Sequence, residues 1–249
     1  MDRLLIVPAA GRGSRLGVET PKALVKVAGR SMLEHLLHRH GPFVDRVIVV
    51  VAPSAIDLFS AFVEEHAAPI DLVVQPHPTG MLDAIIMAST LVSVHHPARV
   101  AVTWCDQIGV TSATVERLSR RAMASGAAAL VFPTLEVDRP YIHFDRDEGG
   151  RIVGVRQRRE GDRMPDRGET DMGLFDLSRD AYQRDLPAFA KEAPASSGTG
   201  ERNFLPFIPW LAARTVVETI PGASTIETVG INTPEELAAV EAHLAQHPD

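Results

Sequence analysis

Short β-branched runs alternate with helix-length segments through the first half of the chain, and this alternation restricts the fold more than any other feature. Leu4–Val7, Val47–Val51, Leu72–Val74, Val100–Thr103 and Ala128–Phe132 read as buried strands. Between them, Met32–His40, Ser54–Glu65, Met81–Val94 and Ser112–Ala124 read as helices. Apolar strands separated by helices predict an α/β fold whose mostly parallel sheet is covered on both faces. Ser31-Met32-Leu33-Glu34 carries the serine and glutamate of a capping box, so the first helix should start there.

The pattern changes after about residue 135. Tyr141–Phe144 and Arg151–Arg156 flank an acidic, glycine-ended turn, and predict an antiparallel hairpin. Arg158–Glu169 is charged and reads as a loop, and Met172–Asp176 reads as a return to the sheet. Ala193–Gly200 is small and polar, a second loop. Thr233-Pro234-Glu235-Glu236 then starts a last helix, with a threonine cap and proline in the first turn. The expected organisation is one domain with an inserted antiparallel substrate lobe. About 1–134 and 215–249 form the core, and about 135–214 the lobe.

Composition narrows the partners. Net charge is −7 and aromatic residues make up 5% of the chain, which argues against a polyanion-binding or base-stacking surface for nucleic acid. The single cysteine, Cys105, excludes an internal disulfide and a paired-cysteine zinc site. Leu4–Val7 is too short for a signal peptide core, and no run approaches the ~18 apolar residues of a membrane span. A cytoplasmic protein that binds neither nucleic acid nor membrane is expected, with a homodimer allowed.

A small anion is different, because a few local donors suffice to hold one. Ala9-Ala10-Gly11-Arg12-Gly13-Ser14-Arg15-Leu16 follows the first strand directly, at the sheet edge where open α/β folds bind ligands. It is not a Walker loop, since no Gly-Lys-Ser/Thr follows. It is not the dinucleotide fingerprint either, since the third glycine is misplaced. Arg12, Arg15 and Lys22 put three cations within a dozen residues of an otherwise acidic protein, and Pro21 pre-sets the backbone before Lys22. Helical His35, His38 and His40, and the pair His95-His96, have no nearby carboxylate pair and read as surface residues, not as a zinc site.

Val7-Pro8-Ala9-Ala10-Gly11-Arg12-Gly13-Ser14-Arg15-Leu16, followed by Pro21-Lys22-Ala23-Leu24-Val25-Lys26-Val27-Ala28-Gly29, resembles the signature of the sugar-1-phosphate nucleotidyltransferase superfamily. That superfamily contains uridylyltransferase and cytidylyltransferase branches. The resemblance implies a Rossmann-like sheet and a Mg²⁺-dependent transfer of a nucleotidyl group from a nucleoside triphosphate to a small phosphorylated acceptor. It implies that Ala10, Gly11, Arg12 and Gly13 cradle the phosphates, with Arg15 and Lys22 as the catalytic cations. Gln75 and Gly80, after the third strand, stand where the uridylyltransferase branch holds the pyrimidine ring; an amide and a backbone N–H can both pair with it. Asp106 stands where the family has a Mg²⁺ ligand, although Cys105 replaces the usual preceding glycine, and Asn232 is the second ligand candidate. A hard cation that keeps several waters needs no more than such a pair of oxygens plus phosphates.

The acceptor side departs from the uridylyltransferase pattern. Tyr141 is flanked by Pro140 and Ile142 instead of glycines, Gln157 stands where a glutamate is expected, and Asp171 stands where an asparagine precedes Gly173. Arg159 matches a basic residue of that segment, and Glu201 after Gly200 resembles a family Gly-Glu pair. Tyr141, Gln157, Asp171, Gly173 and Glu201 are the expected acceptor residues. The expected reaction joins a pyrimidine triphosphate, UTP favoured, to a sugar-1-phosphate with release of pyrophosphate. A CTP-dependent enzyme acting on an alcohol phosphate, phosphonate or phosphocholine is the first alternative, and a non-catalytic nucleotide-binding regulator the second.

Overall fold

The computed structural model describes residues 2–11, 17, 20–66, 68–196 and 200–246. In its first half Arg3–Pro8 (β1), Lys26–Val27 (β2) and Arg30–Ser31 (β3) lead into Met32–His40 (α1). Arg46–Val51 (β4), Ile56–His66 (α2), Ile70–Val74 (β5), Met81–Met87 (α3) and Ser89–His95 (α4) follow. Arg99–Thr103 (β6), Ser112–Ala124 (α5) and Ala128–Asp138 (β7) come next, then the hairpin Ile142–Arg146 (β8) and Ile152–Gln157 (β9). Arg167–Asp171 (β10), Leu174–Ser178 (β11), Leu186–Glu192 (α6), Phe207–Ala212 (α7), Val216–Pro221 (β12) and Pro234–Gln246 (α8) complete the chain.

The main sheet has the order β10-β7-β11-β6-β1-β4-β5, with β12 alongside β7. β6, β1, β4 and β5 run parallel, as does β12 with β7. β11 is antiparallel to β6 and β7, and β10 to β7. Successive side chains on a strand point to opposite faces. Leu4, Ile6, Ile48 and Val50 accordingly pack with residues of α3, α4, α6 and α7, while Leu5, Val7, Val47 and Val49 pack with α1, α2 and α8. Both faces are covered because the central positions of β1, β4 and β6 are apolar on both sides of the strand.

Local signals place several boundaries. Ser31 Oγ accepts from the Glu34 N–H (3.2 Å) and Glu34 Oε2 accepts from the Ser31 N–H (2.6 Å), so α1 starts where the capping box predicts. Thr233 Oγ1 caps α8 by accepting from the Glu236 N–H at 3.3 Å. The hairpin β8–β9 forms as expected, and β11 returns to the sheet beside β6.

Four expectations need correction. His35 and His40 of α1 are buried and not surface residues, and His35 Nε2 lies 2.9 Å from the Val27 carbonyl oxygen. Met81–Val94 is two helices, because Ala88 (φ −71°, ψ −5°) tightens the backbone between α3 and α4. Arg158–Glu169 is not all loop: it opens with a short 3₁₀ turn, Arg158–Glu160, and its end enters β10, an edge strand of Arg-Gly-Glu-Thr-Asp that gains its order from pairing with β7. β12 was not anticipated; it is held by a parallel ladder to β7. Among the described residues no helix is long and apolar enough to cross a membrane.

Beneath the opposite end of the sheet lies a buried ionic cluster. The Asp176 carboxylate, fully buried on β11, pairs with Arg3 of β1 (2.5 Å) and with Arg99 of β6. His40, at the end of α1, is buried nearby, and desolvation together with Arg3 and Arg39 pushes its pKa down to about 3. Between pH 6.5 and about 3 the unfolded chain therefore binds a proton here that the folded chain refuses, and this group lowers stability by about 1.4 kcal/mol for each unit that the pH falls. Asp171 acts oppositely: burial lifts its pKa to about 6, so stability from this group is gained as pH falls from about 6 to 3.8. In urea titrations from pH 7 to 4, the advantage of the parent over His40→Gln should shrink as pH falls, and its advantage over Asp171→Asn should grow. Parallel curves for parent and variant would remove either assignment.

Candidate functional site

The carboxyl ends of β6, β1, β4 and β5 form one edge, and the expected phosphate, base and metal residues follow three of these strands. Adjacent strands lie about 4.8 Å apart, so this edge runs for roughly 14 Å, long enough to lay out an extended small ligand. The strand order reverses between β1 and β6, the crevice where open α/β sheets bind ligands. Ala9, Ala10 and Gly11, which follow β1, and the turn carrying Asp106, which follows β6, flank that crevice.

Lys22 opens a 3₁₀ turn, Lys22–Leu24, set by Pro21 (φ −50°, ψ 133°), and the fully buried Ala23 anchors the turn in the core. Its ammonium reaches across the crevice to the Asp106 carboxylate and donates to Asn232 Oδ1 at 2.9 Å. Asp106 sits in the turn after β6, where the Gln107 N–H donates to the Trp104 carbonyl at 3.2 Å. The Ile231 N–H donates to the Asp106 carbonyl (3.1 Å), which docks the 230–232 segment beside it. Asn232 is then oriented by its own amide: Nδ2 donates to the Gly230 carbonyl at 3.0 Å, leaving Oδ1 toward Lys22. Glu236 accepts from the Asn232 N–H at 2.7 Å and holds that backbone.

Two hard oxygens, one carboxylate and one amide, thus converge on a single point of positive charge. This donor set fits a hard divalent cation that draws its remaining ligands from water and phosphate. Among the described residues no group of three or more His, Cys, Asp and Glu is arranged to hold a metal.

Of the phosphate loop, Ala10 is buried and Gly11 is exposed, with open space where a Cβ would stand. Arg12, Gly13 and Arg15 lie outside the described residues. After β5, the buried Gln75 donates through Nε2 to the Gly80 carbonyl (3.3 Å) and to Thr79 Oγ1 (3.4 Å), so the expected base pair of residues does come together. Gly80 adopts φ +117°, and a Cβ there would stand 2.5 Å from the Arg202 nitrogen. Its lack of a side chain is required by a crossing segment that the sequence does not announce.

The acceptor candidates fall into smaller groups. Asp171 is buried and accepts from the Gly173 N–H at 2.8 Å. Gly173, at φ +60°, accepts from the Trp104 N–H (2.8 Å) and packs so tightly that a Cβ would strike Trp104 and Gln107. This contact ties the entry of β11 to the Asp106 turn. Gln157 is buried and accepts from Asn203, while Glu201 pairs with Arg159 at 3.1 Å. Tyr141 stands half-exposed at the base of the hairpin. Sequence reasoning missed Trp104, Gln107, Arg202 and Asn203. Asp106 marked the neighbourhood of Trp104 and Gln107, and the Gly200-Glu201 pair that of Arg202 and Asn203, but nothing local indicates which side chains these segments turn inward.

The MobA-like NTP transferase domain model matches residues 5–168, about two thirds of the chain. Three relatives, each named bifunctional protein GlmU, illustrate the similarity. That of Azorhizobium caulinodans is 28% identical over 248 residues, covering 97% of this chain and 53% of the relative. That of Nitratidesulfovibrio vulgaris is 28% identical over 245 residues, covering 96% and 52%. That of Mycobacterium ulcerans is 32% identical over 137 residues, covering 53% and 28%. Even in the longest of these matches the chain spans only about half the length of the relative. The phosphate-loop sequence, the mixed sheet and the family match agree: the chain belongs to the sugar-1-phosphate nucleotidyltransferase superfamily, through a MobA-like NTP transferase domain.

Proposed function

We propose that the protein is a Mg²⁺-dependent nucleotidyltransferase that joins a pyrimidine triphosphate, UTP in preference to CTP, to a sugar-1-phosphate. The observation that carries this reading is the convergence of Lys22, Asp106 and Asn232 at the switch-point crevice. An oxygen of the acceptor phosphate attacks the α-phosphorus, the bond from that phosphorus to the bridging oxygen breaks, and pyrophosphate leaves. Little covalent work falls to the protein, so positioning and charge neutralisation dominate. Lys22 supplies positive charge to the α-phosphate, and Ala10, Gly11 and Gly13 with Arg12 and Arg15 hold the rest of the triphosphate. Magnesium bound by Asp106 and Asn232 would neutralise and orient the phosphates. Residues of about 1–134 and 215–249 serve the nucleotide, and about 135–214 serve the acceptor through Tyr141, Gln157, Asp171, Gly173 and Glu201.

The preference for uridine rests on Gln75. Its amide nitrogen is committed to the Gly80 carbonyl and Thr79, so the group it can offer a base is its carbonyl oxygen. That oxygen accepts from the ring N–H of uracil or thymine, whereas the matching ring nitrogen of cytosine is itself an acceptor. The test is pyrophosphate release with UTP, dTTP and CTP, each crossed with sugar-1-phosphates, an alcohol phosphate and phosphocholine. Release is expected with UTP and a sugar-1-phosphate. Release only with CTP and a non-sugar phosphate would replace this reading with the cytidylyltransferase one, and nucleotide binding with no release would make the protein a sensor.

A further inference from the structure

We infer that Arg202 and Asn203 are positioning residues: they strap the nucleoside turn to the acceptor lobe, so that the two halves of the site are set by one segment of backbone. The inference rests on the functional reading above and adds a mechanism for how its two substrates sense each other.

The strap leaves α6 and is closed by two backbone hydrogen bonds, Gly200 N–H to Ser196 carbonyl (2.8 Å) and Ser196 N–H to Glu201 carbonyl (2.9 Å). Its outgoing limb lies along the turn after β5. The Arg202 N–H donates to the Thr79 carbonyl at 2.8 Å, and the Arg202 carbonyl accepts from the Leu82 N–H at 3.1 Å. These two bonds bracket Gly80, which explains why a Cβ is intolerable there. The Arg202 guanidinium then grips the nucleotide half, with Nε donating to Asp83 Oδ2 on α3 at 3.1 Å. Nη1 donates to the Ala190 carbonyl of α6 at 2.5 Å.

The residues on either side turn the other way. Glu201 pairs with Arg159 at 3.1 Å, and Asn203 Nδ2 donates to Gln157 Oε1 at the end of β9. Asn203 is itself oriented by the Leu205 N–H, which donates to its Oδ1 at 3.0 Å. In an extended chain alternate side chains face opposite sides. Residues 201 and 203 therefore hold the acceptor lobe while residue 202 holds the turn whose Gly80 carbonyl fixes Gln75. Earlier in the strap, Ser196 Oγ donates to Glu160 Oε2 at 2.5 Å and adds a third tie to the lobe.

The consequence is reciprocal coupling: disturbing the acceptor-side tie must loosen the base-side turn. The decisive variant is Asn203→Ala, whose lost side-chain bonds, to Gln157 and from the Leu205 N–H, both lie within the acceptor lobe. Amide hydrogen exchange on the whole chain without nucleotide should show Leu82 and Ala84 exchanging roughly 3- to 10-fold faster, the scale of one lost hydrogen bond. Calorimetric titration with UTP and Mg²⁺ should show affinity lowered by a similar factor in Asn203→Ala and in Asp83→Asn, with Arg202→Lys recovering most of the loss seen in Arg202→Ala. A purely structural role would lower the thermal midpoint and leave exchange in the 79–84 turn and UTP affinity unchanged; that result overturns the inference. If the parent binds none of UTP, CTP and dTTP, the functional reading fails, and the exchange experiment still decides the strap by itself.

Discussion

Replacing Lys22 by alanine is expected to lower turnover by about 10²–10³-fold, the scale of removing one electrostatic partner of a transition state. The loss should appear mainly in kcat, because Lys22 is proposed to act on charge that builds at the α-phosphate as the bond to pyrophosphate breaks. The geometry leaves little room for a substitute. The ammonium is largely buried and meets both the Asp106 carboxylate and the Asn232 amide oxygen, and Ala23 behind it is locked in the core. Removing the charge also leaves the Asp106 carboxylate without its partner, so a urea titration must accompany the kinetics to separate folding from chemistry. Lys22→Arg should recover part of the rate, since it keeps the charge and alters the reach and shape. A folded Lys22→Ala protein with unchanged turnover would end the assignment of this residue.

The largest effect on stability is expected at Asp176, far from the reaction. Its carboxylate accepts from Arg3 Nε at 2.6 Å and pairs with Arg99, and all three side chains are almost wholly buried. Asp176→Ala leaves two guanidinium groups without a counter-charge, although Arg99 still donates to backbone carbonyls of Ala128 (3.1 Å) and Asp176 (2.9 Å). Breaking a buried pair from one side costs about 3–5 kcal/mol, a large share of the stability of an ordinary domain. A drop of that size in the free energy of unfolding in urea is the expected result. Replacing all three residues together by apolar ones of similar volume should cost far less, because the desolvation penalty goes with the charges. If the single and triple variants lose equal stability, the cluster is held by packing and not by charge.

Much of the fold is legible residue by residue. The capping boxes at Ser31 and Thr233 act between residues three apart, and such short-range hydrogen bonding is written in the order of side chains. The parallel core is readable because β1, β4 and β6 must be apolar on both faces. β10 is the opposite case: Arg167–Asp171 has no apolar alternation, and it becomes a strand only because β7 offers an edge. The break at Ala88 carries no glycine or proline to mark it, and the alanine where it falls is fully buried.

The site divides in the same way. The phosphate loop is legible in the sequence, and the family resemblance it carries names Lys22, Gln75, Gly80, Asp106 and Asn232 as candidates, because such a signature is matched residue by residue along the chain. Only the tertiary structure brings Lys22 onto Asp106 and Asn232, which lie 84 and 210 residues further along the chain. It also assigns Gly80 a reason, since the backbone of Arg202 crosses within 2.5 Å of where a side chain would begin. Neighbouring residues signal through propensity, capping and periodicity, whereas these convergences depend on which strands pair and which loops then meet. That is settled by the burial of the whole sheet, and no single stretch of the chain contains it.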